Sequence, residues 1–189
     1  VEDTNAQYVV SNNCGNISIN NTTINAGSNA NQFAFDVCGY AKYTAGVTVT
    51  VSGTSVINGK VEISKSAGNT EPMKLNITGG TFNGDLKVDA SVGTENAKSI
   101  ISVSGGTFSD PSVLKYMATN ATVDIKLLSN INIAKTELAT GYILNAANAT
   151  ANLNLNGHDI INSSETADAT PFTQIFTVQN GTLNISGNG

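Results

Sequence analysis

The feature that most constrains this chain is a spaced triplet of apolar residues that recurs along its length. At offsets 0, +2 and +7 the sequence reads Ile17, Ile19 and Ile24, then Val49, Val51 and Val56, then Leu75, Ile77 and Phe82. It reads Ile101, Val103 and Phe108 in the next copy and Leu153, Leu155 and Ile160 further on, and a partial copy opens at Leu183 and Ile185. The steps from 49 to 75 and from 75 to 101 are both 26 residues, and the step from 101 to 153 is 52, twice that period. The absent copy is expected near residue 127, where Val123, Ile125, Leu127, Ile131 and Ile133 alternate as in a strand. The outer steps, 32 residues from 17 to 49 and 30 from 153 to 183, fit insertions in turns.

Offsets 0 and +2 put two side chains on one face of a strand. Small and polar residues fill the gap before +7, as with Gly79, Gly80 and Thr81, and permit a tight bend. A second short alternating strand follows in FAFDV (33–37), KVEIS (60–64) and DLKVD (85–89). A unit of two or three short strands cannot bury its apolar face alone, whereas a stack of such units can. The pattern therefore predicts an all-β parallel solenoid of about six to seven coils, ~26 residues per coil, with the triplets stacked inside in columns. A sandwich or jelly roll also has short strands and Gly-rich turns, but would not keep one offset pattern through six units. Residues 1–189 read as one domain, with 1–46 as divergent coils or a cap and 47–189 as regular coils. Only PSVLKYMAT (111–119) reads as helical, a Pro-initiated turn or two.

Only 12% of the residues are charged, so Asn, Thr, Ser and Gly must supply the polar surface. These side chains compete with helical backbone hydrogen bonds and favour turns and ladders. The net charge is −5 and the chain has no Arg, which argues against nucleic acid as a partner because phosphate binding needs a cationic stripe. No apolar run approaches the length of a membrane span, so no membrane insertion is expected. The chain opens at Val1 rather than Met and is read as processed or excised. Cys14 and Cys38 are either two free thiols or one disulfide, and a disulfide would imply export. Two cysteines and the single His158 are too few for a zinc site, and no cofactor is expected.

SGGTFS followed by a Pro-containing stretch, and LNLNGHDI followed by GTLNISGNG, resemble right-handed parallel β-helix proteins of the pectin-lyase-like superfamily. More narrowly they resemble uncharacterised secreted or surface β-helix proteins of gut bacteria. The resemblance spans roughly residues 47–189 and implies a right-handed β-helix on an exported protein, extracellular or cell-surface. The fold hosts lyases, hydrolases, adhesins and phage tailspikes, so it implies no single activity. Lyases of this kind hold calcium with clustered acids and usually use an Arg base, which this chain lacks.

On the 26-residue register Asp85 and Asp110 fall on adjacent coils, as do Glu62 and Asp89, giving a candidate acidic column on one outer face. Surface solubility, a calcium site and a catalytic pair are the competing readings of that column. His158 falls in a turn, without the companions that acid–base work requires. The Gly-Gly pairs lack the following helix and Lys of a phosphate loop. Irregular stretches at 64–73, 90–99, 116–122 and 162–174 share one phase of the coil and should stack on one side, where function would lie. Tyr40 and Tyr43, flanking Lys42, are candidate ligand contacts, since a tyrosine pair can platform a sugar ring or else cap the stack.

GTLNISGNG stops within a coil, so the chain continues, was cut, or is covered there by a partner chain. These readings favour a non-catalytic exported module, adhesin-like or glycan-contacting. A phage or virion appendage is the alternative, and a polysaccharide lyase or glycoside hydrolase the next.

Overall fold

A computed structural model describes residues 1–133, 141–162 and 174–189. The chain advances in layers of short strands. The first layer holds β1 (Glu2–Asp3) and β2 (Tyr8–Val10). The second holds β3 (Gly15–Asn20), β4 (Thr23–Ala26) and β5 (Phe33–Gly39). The third holds β6 (Val47–Ser52), β7 (Val56–Asn58) and β8 (Lys60–Lys65). The fourth holds β9 (Met73–Ile77), β10 (Thr81–Phe82) and β11 (Leu86–Val88). A short helix, α1 (Thr94–Ile100), leads into β12 (Ile101–Val103) and β13 (Thr107–Phe108), and a 3-10 helix follows at Pro111–Tyr116. Next come β14 (Thr122–Lys126), β15 (Ile131–Ile133), β16 (Tyr142–Asn154), β17 (Ile160–Asn162) and β18 (Phe176–Ser186).

Strands pair with their counterparts one layer away, not with their neighbours in sequence. β3, β6, β9 and β12 form one sheet, β2, β5, β8 and β11 a second, and β15 pairs with β17. An eight-stranded sheet runs β1-β4-β7-β10-β13-β14-β16-β18. Every pairing among the described strands is parallel. Parallel partners need a long crossover, and here the remainder of each layer supplies it.

The register follows the apolar triplets closely at first. Ile17 lies opposite Val49, Val49 opposite Leu75 and Leu75 opposite Ile101, with Ile19, Val51, Ile77 and Val103 beside them. Ile19, Val49, Val51, Leu75, Ile77, Ile101 and Val103 are buried, and Ile17, in a lower layer, is half-buried. Fully burying one such side chain contributes roughly 1.5–3 kcal/mol, and stacking repeats that gain in each layer.

Two expectations about the columns need correction. In the β7 layer the inward residue is Ile57, fully buried between Ile24 and Phe82, and Val56 is half-buried opposite Thr23 and Thr81. The turn there is one residue longer. Five residues separate Val51 from Ile57 and four separate Ile77 from Phe82, so the side-chain alternation slips by one. Ser55 occupies the extra position, and its hydroxyl donates to Ser52 O at 2.8 Å.

The second correction is one of phase. Phe108 lies opposite Ile125, Ile125 opposite Leu153 and Leu153 opposite Ile185. Leu153 thus continues the Phe82 column, not the Leu75 column. Leu155 and Ile160 are half-buried at its margin, with Ile160 paired to Ile131 in the small sheet. The layer between Phe108 and Ile125 is only 17 residues long. The 3-10 helix takes the place of a strand there, started by Pro111 and capped where the Asp110 carboxylate accepts from Ser112 N at 2.7 Å. Met117 then keeps the first sheet going by a single bridge to Val103, so 116–122 does not join the stacked loops.

The repeated Gly-Gly-Thr-Phe phrase makes the same bend twice. Gly80 and Gly106 have φ of 96° and 118°, which excludes most side chains, and Thr107 N donates to Gly80 O at 2.9 Å. Stretch 90–99 contains α1, with Val92 and Ala97 buried against the core. Stretch 162–174 lies, but for its two ends, outside the described residues. Outward amides stack as the apolar residues do. Asn83 Nδ2 donates to Asn58 Oδ1 and Asn58 Nδ2 to Asn25 Oδ1, both at 2.7 Å. Asn184, Asn152 and Asp124 form a second such ladder at 2.9 and 3.0 Å.

Candidate functional site

The chemistry-bearing groups gather around the second sheet, on its outer face and at its two ends. In β5, Phe35 and Val37 point into the core, so Asp36 between them faces out. The register sets Asp36 beside Glu62 and Glu62 beside Lys87. The N-terminal segment folds over this row. Asn12 N and Ser11 Oγ donate to the Asp36 carboxylate at 2.7 and 3.2 Å, and the Tyr8 hydroxyl donates to Glu62. Tyr8 stacks on Phe33 at 5.5 Å, and Lys87 Nζ lies 5.2 Å from the centre of the Phe33 ring.

Asp36 is only 3% exposed. Burial raises its pKa and Glu62 adds to the rise, while the hydrogen bonds from Asn12 and Ser11 oppose it. Burial and the Glu62 carboxylate likewise raise the Tyr8 hydroxyl. Both carboxylates already hold internal donors, so the row pins the first residues to the sheet.

The expected acidic column is not continuous. Glu62 faces Lys87, not Asp89. Asp89 lies beyond the end of β11, where its carboxylate accepts from Ser91 N at 2.8 Å and is held below its ordinary pKa by Ser91. Asp85 and Asp110 do fall near one another. Partial desolvation and the Asp110 charge raise the Asp85 pKa, and Lys60 opposes them. Among the described residues no group of three or more His, Cys, Asp or Glu side chains could hold a metal ion.

A cleft of about 360 Å³ opens where the eight-stranded sheet turns into the second sheet. Ala26, Gly27, Gly59 and Gly84 form its floor, and Asn58, Asn83, Lys60 and Asp85 stand around it. The glycines allow successive layers to close up: a Cβ on Gly84 would meet Gly59 O at 2.4 Å, and one on Gly59 would meet Ala26 Cβ at 2.7 Å. Removing side chains from three successive corners also leaves the cleft open. Sequence reading missed it, although a Gly recurs just after each β4-, β7- and β10-type strand.

Tyr40 and Tyr43 lie at the other end of the second sheet, just past β5. Tyr43 N donates to Tyr40 O at 2.9 Å, closing a turn that Ser66 braces through Ala41 N at 2.7 Å. The rings are 5.7 Å apart, tilted by 46°, and 43% and 42% exposed, with Lys42 exposed between them. Cys14 and Cys38 are both free, against the expectation of a bridge. Cys14 is exposed in the turn before β3, and Cys38 is half-buried in β5 opposite Ser64, which hydrogen-bonds its thiol. His158 sits in a turn, its N–H donating to Leu155 O at 2.9 Å. β18 is an edge of the long sheet, with Val178 and Ile185 47% and 54% exposed. No family model, curated protein or solved structure matches this chain.

Proposed function

We propose that the layered sheets form a single right-handed parallel β-helix, related to the pectin-lyase-like proteins, and that the chain is a non-catalytic glycan-contacting module of an exported, cell-surface or extracellular protein. The stepwise strand order and the uniformly parallel register support the architecture. The exposed Tyr40–Tyr43 pair carries the functional reading. Aromatic faces bind the apolar face of a sugar ring, and these two are held on a hydrogen-bonded turn beside Lys42. Two free exposed rings on a rigid scaffold lose little entropy on binding. The Asp36–Glu62 row, already filled by Tyr8, Ser11 and Asn12, supports the non-catalytic part.

The test is a glycan array followed by calorimetry. Wild type should bind an oligosaccharide that Tyr40→Ala/Tyr43→Ala loses at least tenfold. Equal binding by both proteins overturns the tyrosine assignment, and binding to no glycan overturns the reading. Incubation with polysaccharides, with and without calcium, should give no chain cleavage. A second reading, a subunit of a virion appendage, draws on the open β18 edge, which invites another chain. Sedimentation showing a stable trimer would favour it.

A further inference from the structure

The corner cleft is a different site from the tyrosine turn. β5 has seven residues, so the two lie about 20 Å apart along the second sheet. The cleft has the size and make-up of a small-ligand site: an apolar floor with few polar groups around it. Its floor of Gly27, Gly59, Gly84 and Ala26 presents only backbone and methyl groups, a flat surface that suits the C–H face of a ring.

Its polar groups are unspent. The Asp85 carboxylate has no hydrogen-bond or ion-pair partner among the described residues, although Lys60 lines the same cleft. Lys60 Nζ donates to Ala30 O at 3.2 Å and approaches Asn29 O at 3.5 Å, and its remaining hydrogen points elsewhere. Asn83 uses its Nδ2 in the amide ladder and keeps its Oδ1 free as an acceptor. A carboxylate accepts two hydroxyls of a vicinal diol side by side, and an ammonium donates to a hydroxyl or ring oxygen. Asp85, with Asp110 near it, and the net charge of −5 repel anionic ligands.

We infer that this glycine-floored cleft binds a neutral pyranose, its C–H face on Gly59 and Gly84, a vicinal diol donating to Asp85, and Lys60 donating to a sugar oxygen. This rests on the glycan-contacting reading but assigns a second contact point, independent of Tyr40 and Tyr43.

The experiment titrates ¹⁵N-labelled full chain with methyl glucoside, methyl galactoside, methyl mannoside and, as the anionic control, glucuronate. One neutral glycoside should shift the amides of Gly59, Lys60, Gly84 and Asp85 saturably, and glucuronate should not. Lys60→Ala and Asp85→Ala should each weaken that binding at least fivefold. Asp85→Asn, which keeps the shape and one acceptor, should fall between, and a native spectrum for it separates lost binding from lost fold. Tyr40→Ala/Tyr43→Ala should leave these shifts unchanged. No cleft shift with any neutral glycoside, or shifts unaffected by Lys60→Ala and Asp85→Asn, overturns the inference, as does stronger binding of glucuronate. Oligosaccharide binding that depends on the tyrosines while the cleft amides stay still would overturn this inference alone. Cleft binding without any tyrosine dependence would uphold it and remove the tyrosine assignment.

Discussion

Ile57 and Val56 are adjacent, and they offer a sharp test of how the chain packs. Ile57 is fully buried, with Ile24 one layer below and Phe82 one layer above. Truncation to Ala removes three carbons, about 2.4 kcal/mol of transfer free energy at ~0.8 kcal/mol each. The cavity adds to this, because layers pinned by ladder hydrogen bonds cannot collapse into it, for a total of about 3–4 kcal/mol. Val56 is half-buried on the outer side, opposite two threonines, so Val56→Ala should cost about 1 kcal/mol or less, mostly lost strand preference. Urea unfolding measures both. With a slope of about 2 kcal/mol/M, Ile57→Ala should lower the midpoint by about 1.5–2 M and Val56→Ala by no more than about 0.5 M. A Val56→Ala loss equal to or larger than that of Ile57→Ala would refute the slipped alternation and restore the simple +7 column.

The remaining predictions concern charge, a lone hydroxyl and the thiols. Asp36 and Asp85 have folded pKa values raised by burial, so the folded state takes up their protons first. Their contribution to stability therefore grows as pH falls through those raised values, is complete below the ordinary carboxylate value, and is lost as pH rises. Urea midpoints should increase from pH 7 to pH 5 in wild type and stay nearly flat in Asp36→Asn/Asp85→Asn. Asp3 and Asp89, held low by backbone N–H donors, act in the opposite sense at lower pH. The Tyr116 hydroxyl is buried without a hydrogen-bond partner, and burial pushes its pKa up to about 12. Tyr116→Phe should raise stability by about 1 kcal/mol, read as a higher thermal midpoint. Reductant should leave the thermal midpoint unchanged, and mass spectrometry of the native protein should show Cys14 alkylated faster than Cys38, in line with their exposure.

The columns through Ile17, Val49, Leu75 and Ile101 were legible because equal turn lengths keep side-chain period and layer period in step. Val56 misled because one added turn residue inverts the alternation without disturbing composition. Leu153 misled because the 17-residue layer broke the 26-residue period, and a 3-10 helix looks like a loop of the same length. The Asp36–Glu62–Tyr8 contacts fell in the layers with the loosest spacing. Aligning FDV (35–37) with VEI (61–63) would have found the carboxylate pair, but nothing in the sequence announces that Ser11 and Asn12 fold back onto it. The cleft was hidden because glycines read as turns whether or not they leave space between them.

The central claim is that the chain climbs one strand spacing per layer. Spin labels test it on the outer column Thr23, Asp124, Asn152 and Asn184, which lies four, five and six layers from β4 in the long sheet. With Cys14→Ser and Cys38→Ser as background, Thr23→Cys is paired in turn with Asp124→Cys, Asn152→Cys and Asn184→Cys. At ~4.8 Å per strand the backbone separations should be about 19, 24 and 29 Å, so electron–electron distances should rise by nearly equal steps. Distances that fail to rise with layer number, such as Asn184 lying nearer to Thr23 than Asp124 does, would contradict the layered account.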